Sequence, residues 1–373
     1  MQIKINTKDF ANALNIGGAM AGKNRTLPIL DCAKITINKN SSCTIVSYDG
    51  EVAMYKKCQI EQCDELGSFC VNPRELTNIL KTIRENTIDI KIEENNCIVL
   101  YGSGQISIPI QPSEDFPNIE RDADSVSVNV KSEILYNELK DALPFVGTDN
   151  IRPILCGIHL SVNGQQMSIS ATDTHYLYNN TIDTENNIEG ISEAIIPNKS
   201  ISNILNIINK SEVVKLTFGE NNVCFIVEGA MLMSRKVIGK FPNVQSVIPS
   251  NNICVEINKE EFKSALERAI LVSNSKTQCL KFTTSNENLI ISSEDIDFNK
   301  KCEEKCACTI FTKDGSEYED FTFAVKGENM VICINSVKNE NVILELNGAK
   351  KAILVYDKDM PSKNVITMPL AIQ

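Results

Sequence analysis

Phe116-Pro117-Asn118-Ile119 returns 125 residues later as Phe241-Pro242-Asn243-Val244. The Pro28-Ile29-Leu30 of a Leu-Pro-Ile-Leu segment returns at the same displacement as Pro153-Ile154-Leu155. Two unrelated strings with one spacing mean a duplicated unit, and such a repeat fixes the architecture before any single motif does. With boundaries near residues 124 and 252, the 373 residues divide into three units, 1–124, 125–252 and 253–373.

Each unit predicts two helices. Helical i, i+3, i+4, i+7 spacing marks the first at Phe10, Ala13 and Leu14, at Leu135, Leu139 and Ala142, and at Phe262, Ala265, Leu266, Ala269 and Ile270. Thr7 is placed to cap the first copy, and Asn258 with Glu261 has the offset of a reciprocal cap in the third. The second helix carries Leu76, Ile79, Leu80 and Ile83, then Ile201, Ile204, Leu205 and Ile208, then Met330, Cys333, Ile334 and Val337. Asn72 can cap its first copy, with Pro73 at the first helical position, where an N–H is not needed. Alternating strands follow at residues 88–92, 214–218 and 342–346. Each unit reads as two helices on antiparallel sheet, an α+β fold.

Composition narrows the classes. Hydrophobic residues are 42% and charged residues 23%, which suits folded domains rather than disorder. No apolar run approaches the roughly 20 residues of a membrane helix, and Met1-Gln2-Ile3-Lys4 lacks the pattern of an export leader, so a cytoplasmic protein is expected. Fourteen cysteines are then expected to be reduced core residues. Cys302, Cys306 and Cys308 form C-x3-C-x-C, not the paired C-x2-C of a structural zinc site, and no metal or cofactor is expected.

A net charge of −11 argues against a protein that coats itself onto phosphates. Yet the second-helix segments, taken as 72–84, 197–210 and 325–338, hold Arg74, Lys81, Arg84, Lys199, Lys210, Lys326 and Lys338 against Glu75 and Glu328. They carry +5 and leave −16 to the rest. On one shared surface these helices would attract phosphate without reading sequence, while an acidic exterior limits wrong binding. Charge alone fits equally well a few solvated lysines on amphipathic helices.

Arg25 to Leu30 (RTLPIL), Glu114 to Ile119 (EDFPNI), Ala171 to Leu177 (ATDTHYL), Gly239 to Pro249 (GKFPNVQSVIP) and Thr367 to Leu370 (TMPL) follow in an order and spacing that resemble the bacterial DNA polymerase III β subunit family, the sliding clamps. The resemblance spans the chain. It implies three tandem clamp domains, closed with a second copy into a head-to-tail dimeric ring around duplex DNA. It implies a processivity factor that is not an enzyme and that recruits the replicative polymerase, the clamp loader and other replication and repair proteins through short linear motifs.

Carried over by position, the implied DNA-facing residues are Lys23, Arg25, Arg74, Lys81 and Lys199; Lys210, Lys326 and Lys338 are added on charge. The implied partner-peptide pocket takes Leu155, Thr172, His175, Tyr176, Leu177, Pro242, Val247, Ile366, Met368, Pro369 and Leu370. Aliphatic residues and Met can repack around different peptides. Two positions depart from the family: Thr174 stands where Gly is usual, and Tyr176 where a basic residue is common. Ring closure is implied between a first-unit edge near Gln105 to Ile110 and a third-unit strand near Lys300 to Ile310, supported by Ile106, Ile108, Ile270 and Leu271. Gly102 to Ile110 contains no Lys or Arg, so the ion pairs common at this family edge are missing on that side.

Two rival classes remain. An enzyme would draw on Thr172-Asp173-Thr174-His175, which sets a carboxylate beside an imidazole, but no G-x-S-x-G elbow, P-loop or G-x-G-x-x-G accompanies it. A non-clamp β-rich repeat binding protein would need no basic charge on equivalent helices.

Overall fold

The computed structural model describes residues 1–22, 27–122, 125–209, 211–285, 287–360 and 362–371. The first copy holds strands β1 (Gln2–Asn6), β2 (Ala33–Asn38), β3 (Ser42–Tyr48), β4 (Val52–Gln59), β5 (Gln62–Cys63) and β6 (Ser68–Val71). It continues with β7 (Thr87–Glu93), β8 (Asn96–Tyr101) and β9 (Gly104–Pro109), and its helices are α1 (Thr7–Gly17) and α2 (Pro73–Thr82). The second holds β10 (Val126–Lys131), β11 (Gly157–Thr172), β12 (Tyr176–Pro197), β13 (Val213–Phe218), β14 (Asn222–Val227) and β15 (Ala230–Arg235), with α3 (Ser132–Ala142) and α4 (Asn198–Ile208). The third holds β16 (Ile253–Asn258), β17 (Cys279–Ser285), β18 (Asn288–Asp295) and β19 (Lys300–Thr312), with α5 (Lys259–Val272). It ends with β20 (Thr322–Lys326), α6 (Gly327–Asn335), β21 (Asn341–Leu346), β22 (Ile353–Tyr356) and β23 (Asn364–Thr367).

Local chemistry sets the helix ends. Asn72 accepts from the Arg74 and Glu75 amides at 3.0 and 3.1 Å, and Asn258 accepts from Glu261 at 3.1 Å. Thr7 is not the cap of α1: Asn6 accepts from Lys8 and Asp9, while the Thr7 hydroxyl donates to the Glu85 carbonyl. Asn outcompetes Thr because its carbonyl reaches the N2 and N3 amides from the β-region backbone of the strand end.

Two compact units result, one of Met1–Tyr136, Asn163–Gln165 and Thr184–Lys236, the other of Asn137–Val162, Gln166–Asp183 and Val237–Gln373. Neither matches a repeat, because neighbouring copies share sheets. An eight-stranded sheet runs β10-β13-β14-β15-β4-β3-β2-β6, and a ten-stranded sheet runs β11-β12-β23-β22-β21-β16-β19-β18-β17-β20. A five-stranded sheet, β5-β1-β7-β8-β9, completes the first copy. Its buried face meets α1 and α2 through Ile3, Ile5, Phe10, Leu14, Leu76 and Leu80.

The junctions between copies are built alike. In the first unit β4 pairs antiparallel with β15, Val52 opposite Ser234 and Lys56 opposite Ala230, and the Arg235 N–H donates to the Glu51 carbonyl at 3.0 Å. In the second, β12 pairs with β23, Tyr176 opposite Thr367 and Asn179 opposite Asn364, and the Met368 N–H donates to the His175 carbonyl at 2.8 Å. Of the strands in the positions that make these junctions, two lack such a neighbour among the described residues. One is β9, the last strand of its sheet. The other is β19, whose residues 300–307 meet only β18 and whose residues 308–312 meet only β16.

All fourteen cysteines are free thiols and nine are buried. Burial pushes Cys70 and Cys97 up to about 12 and Cys306 up to about 11. These folded values lie above the roughly 8.5 of an unfolded thiol, so the protonated core favours folding at neutral pH, and that contribution is lost as pH rises through 8.5 toward 12. In urea titrations the unfolding midpoint is therefore expected to hold between pH 7 and 8 and to fall steadily above pH 9; an unchanged midpoint at pH 10 would contradict this account.

Candidate functional site

The second helices are shorter than their patterns suggest, and this redistributes the charge. Within α2, α4 and α6 only Arg74, Lys81 and Lys199 are basic, against Glu75 and Glu328. Lys326 is the residue before α6, Lys338 lies beyond its end, and Arg84 lies beyond α2. The +5 read over the longer windows thus belongs mainly to helix flanks. Lys23, Arg25 and Lys210 lie outside the described residues.

Arg74 and Lys81 are seven positions apart on α2, two turns on one face. Both border a groove of about 380 Å³ with Leu14, Asn15, Gly18 and Ala19 of the α1 end. That end packs close: a Cβ added at Gly18 would stand 2.5 Å from Pro73 Cβ. Arg74 donates to the Ala21 carbonyl at 3.4 Å, and Lys81 is exposed. The other cations have acidic neighbours: Lys199 pairs with Glu51, Lys326 with Glu328 at 3.1 Å, and Lys338 with Asp141 at 3.8 Å. The exposed Lys199–Glu51 and Lys326–Glu328 pairs are worth little individually and exchange readily for a phosphate, whereas Asp141 also holds the buried Lys363 at 2.8 Å.

Within the second compact unit, the pocket residues gather around the β11–β12 turn. Leu177 and Ile366 face each other across β12 and β23 and are buried with Leu354, against Val244, Ile248, Ala352 and Tyr356. Val247, half exposed, and Pro242 lie on the segment that supplies Val244, which is held by Phe241 stacked on His159 at 4.7 Å. Leu155 is buried beside Gly147, whose added Cβ would lie 3.4 Å from Leu155 Cβ and 3.6 Å from Asp173 Cα. Tyr176 packs edge-on against Phe145 at 5.5 Å, and burial pushes its hydroxyl up to about 12, so it stays a neutral donor at physiological pH. Met368 is 43% exposed. Leu370 is drawn elsewhere, its N–H donating to the Ala324 carbonyl of β20 at 2.7 Å, with Pro369 between. The His159–Phe241 stack, and Leu354 and Tyr356 on β22, were not legible as site residues, because pairing across distant strands leaves no local pattern.

The turn itself is built by its own side chains. Asp173 Oδ1 accepts from the His175 and Tyr176 amides at 2.7 and 3.1 Å, and the Thr172 hydroxyl donates to the Tyr176 carbonyl while accepting from Thr174 N–H. The carboxylate builds a turn rather than orienting an imidazole. In the first copy Asp49 does the same, accepting from Glu51 and Val52 at 2.9 and 2.7 Å. Its central residue is Gly50 at φ 101°, and the counterpart is Thr174 at φ 87°, a left-handed backbone that a β-branched residue rarely adopts. Thr174→Gly is expected to stabilise the chain by about 1 kcal/mol, strain of roughly 1–3 kcal/mol relieved against a glycine entropy cost of roughly 0.5–1. Equal or lower stability in urea unfolding would show that the turn is not strained.

Three family models match in succession: DNA polymerase III beta subunit, N-terminal domain over residues 1–120, central domain over 129–243, and C-terminal domain over 245–371. Among relatives, the beta sliding clamp of Streptococcus pneumoniae is 24% identical over 284 residues, covering 74% of this chain and 75% of its own. That of Haemophilus influenzae is 24% identical over 316 residues, covering 82% and 86%. Among solved structures, the DNA polymerase III subunit beta of Pseudomonas aeruginosa superposes with a TM-score of 0.92 at 21% identity, and the Bacillus subtilis DNA polymerase sliding clamp with 0.90 at 19%, each covering 100% of both chains. At these identities the superpositions establish the fold.

Proposed function

The chain belongs to the bacterial DNA polymerase III beta subunit family, and from that premise we propose that it is a DNA sliding clamp, a processivity factor that encircles duplex DNA and tethers the replicative polymerase. One observation carries the proposal. Neighbouring copies join by one strand pairing, made twice, which leaves one unmatched edge of each kind, β9 and β19. A second copy supplies what each edge lacks, so the chain closes head to tail as a homodimer.

Projecting the two internal registers onto the free edges sets Ile106 of one protomer opposite Cys302 of its partner and Ile108 opposite Lys300, with Ile270 and Leu271 of α5 beneath. Leu271 is 80% exposed in the single chain, as a contact awaiting its partner should be. Domains near 1–124, 125–252 and 253–373 then line the hole with their second helices. DNA contacts are made by Arg74, Lys81 and Lys199, with Lys23, Arg25, Lys210, Lys326 and Lys338 around them. Enclosure takes the place of affinity: phosphate contacts that exchange quickly let the ring slide.

Polymerase and clamp loader dock through short linear motifs on the surface around Leu155, Thr172, His175, Leu177, Pro242, Val247, Ile366, Met368 and Pro369. Tyr176 offers stacking or a hydroxyl where a cation is usual, which shifts motif preference. The protein acts as an accessory subunit without cofactor or active site, in the cytoplasm; among the described residues no helix is long and apolar enough to cross a membrane.

The test is topological. Loaded onto nicked circular DNA by its clamp loader and ATP, the protein is expected to co-elute with the circles and to be released when they are linearised. Failure to co-elute with a loader proven active on its own cognate clamp, or retention on linear DNA, would defeat the proposal. Met368→Ala is expected to leave the dimer intact while weakening polymerase peptide binding roughly tenfold or more.

A further inference from the structure

The third copy departs from the other two at the place where the clamp reading puts the ring seam. The same hydrogen bond fixes the alignment: the Ser47 hydroxyl donates to the Gly17 carbonyl on α1, and the Ser293 hydroxyl to the Ala269 carbonyl on α5. Asp295 therefore corresponds to Asp49. Two residues, Gly50 and Glu51, close the first turn, where Asp49 N–H donates to the Val52 carbonyl. Two close the second, Thr174 and His175. The third, between the paired Asp295 and Lys300, has four: Ile296, Asp297, Phe298 and Asn299.

This longer turn is apolar and uncovered. Ile296 is 83% and Phe298 72% exposed, with Lys300 Nζ 5.4 Å from the Phe298 ring centre. Asp295 is 5% exposed, and its Oδ1, whose counterparts bind turn amides, has no hydrogen-bond partner among the described residues. A cavity of about 1010 Å³ opens alongside, lined in part by Ile296, Asp297, Lys301, Cys302 and Glu303.

The facing edge has changed too. At both internal junctions the residue closing the pairing donates its N–H to the turn, Arg235 to Glu51 and Met368 to His175. The corresponding residue on β9 is Pro109, which has no N–H to give.

We propose that Ile296 and Phe298 form an apolar latch that seats on the partner protomer beside Pro109 and Ile110, replacing the backbone hydrogen bond used inside the chain. The occupant is a second copy of this chain, because the turn continues the edge strand whose pairing the ring requires; the inference rests on the clamp reading. The seam is thus held by burial more than by charge, and it is insensitive to salt.

Sedimentation equilibrium of the full chain at 50 and 500 mM salt tests this, comparing wild type with Phe298→Ser and with Ile296→Ser/Phe298→Ser. Wild type is expected to dimerise with a dissociation constant that changes less than about threefold between the two salts. The double variant should weaken the dimer at least roughly tenfold, with Phe298→Ser in between. Both side chains are exposed in the single chain, so an unchanged urea midpoint at concentrations where wild type is monomeric verifies folding. Dimerisation of the double variant within twofold of wild type overturns the latch and leaves the clamp reading standing. A wild type that stays monomeric at every concentration overturns both.

Discussion

The structure depends on the demand of a β-strand edge for a neighbour. Each strand presents N–H and C=O groups on both sides, and an edge left open invites indiscriminate pairing. Here the last strand of one copy completes the sheet of another, so the sheets reach eight and ten strands across copy boundaries. The helices can then be short and only moderately apolar. They need cover one face of a sheet whose edges are satisfied elsewhere, as α1 and α2 do over Ile3, Ile5, Ile88 and Ile90.

Electrostatics takes second place, and the clamp reading explains why. A protein of charge −11 whose second helices hold three basic residues against two acids could not hold DNA by affinity. It need not if the duplex is topologically confined, since confinement makes tight contacts a hindrance to sliding. Lys199, Lys326 and Lys338 beside carboxylates fit this role: their charge is available but already partly balanced.

The repeat, the six helices and the strands at 88–92, 214–218 and 342–346 were legible because each rests on local periodicity. The ends of the helices were not. Lys338 and Arg84 fall outside because the apolar stripe continues past the last helical hydrogen bond, and Lys326 because it caps α6 from the position before its first turn, so side-chain spacing overestimates length at both ends. Thr7 in place of Asn6 is a one-residue error in cap geometry that spacing cannot resolve. The partner-peptide pocket is proposed through family resemblance alone. Its lining pairs Leu177 with Ile366 and stacks His159 on Phe241, contacts whose sequence separation erases any pattern.

Thr174 shows how the repeat disciplines interpretation. Taken alone, its positive φ would invite a functional account of strain. Set beside Gly50 in the same turn, it is a position whose backbone is dictated by the Asp carboxylate binding two successive amides, as Asp49 and Asp173 both do. The turn geometry is therefore set by the aspartate rather than by the residue at its centre, and the chain tolerates Thr because the junction over-determines the conformation. By the same comparison Asp295, buried with its Oδ1 lacking those amides, marks the one of the three corresponding turns built differently, the turn at which the clamp reading places the seam. A ring that must open to admit DNA has to part somewhere. On the clamp reading, the junctions inside the chain are tied by covalent continuity and by the Arg235–Glu51 and Met368–His175 backbone hydrogen bonds, whereas the proposed seam lacks both of these ties, so opening is directed to it.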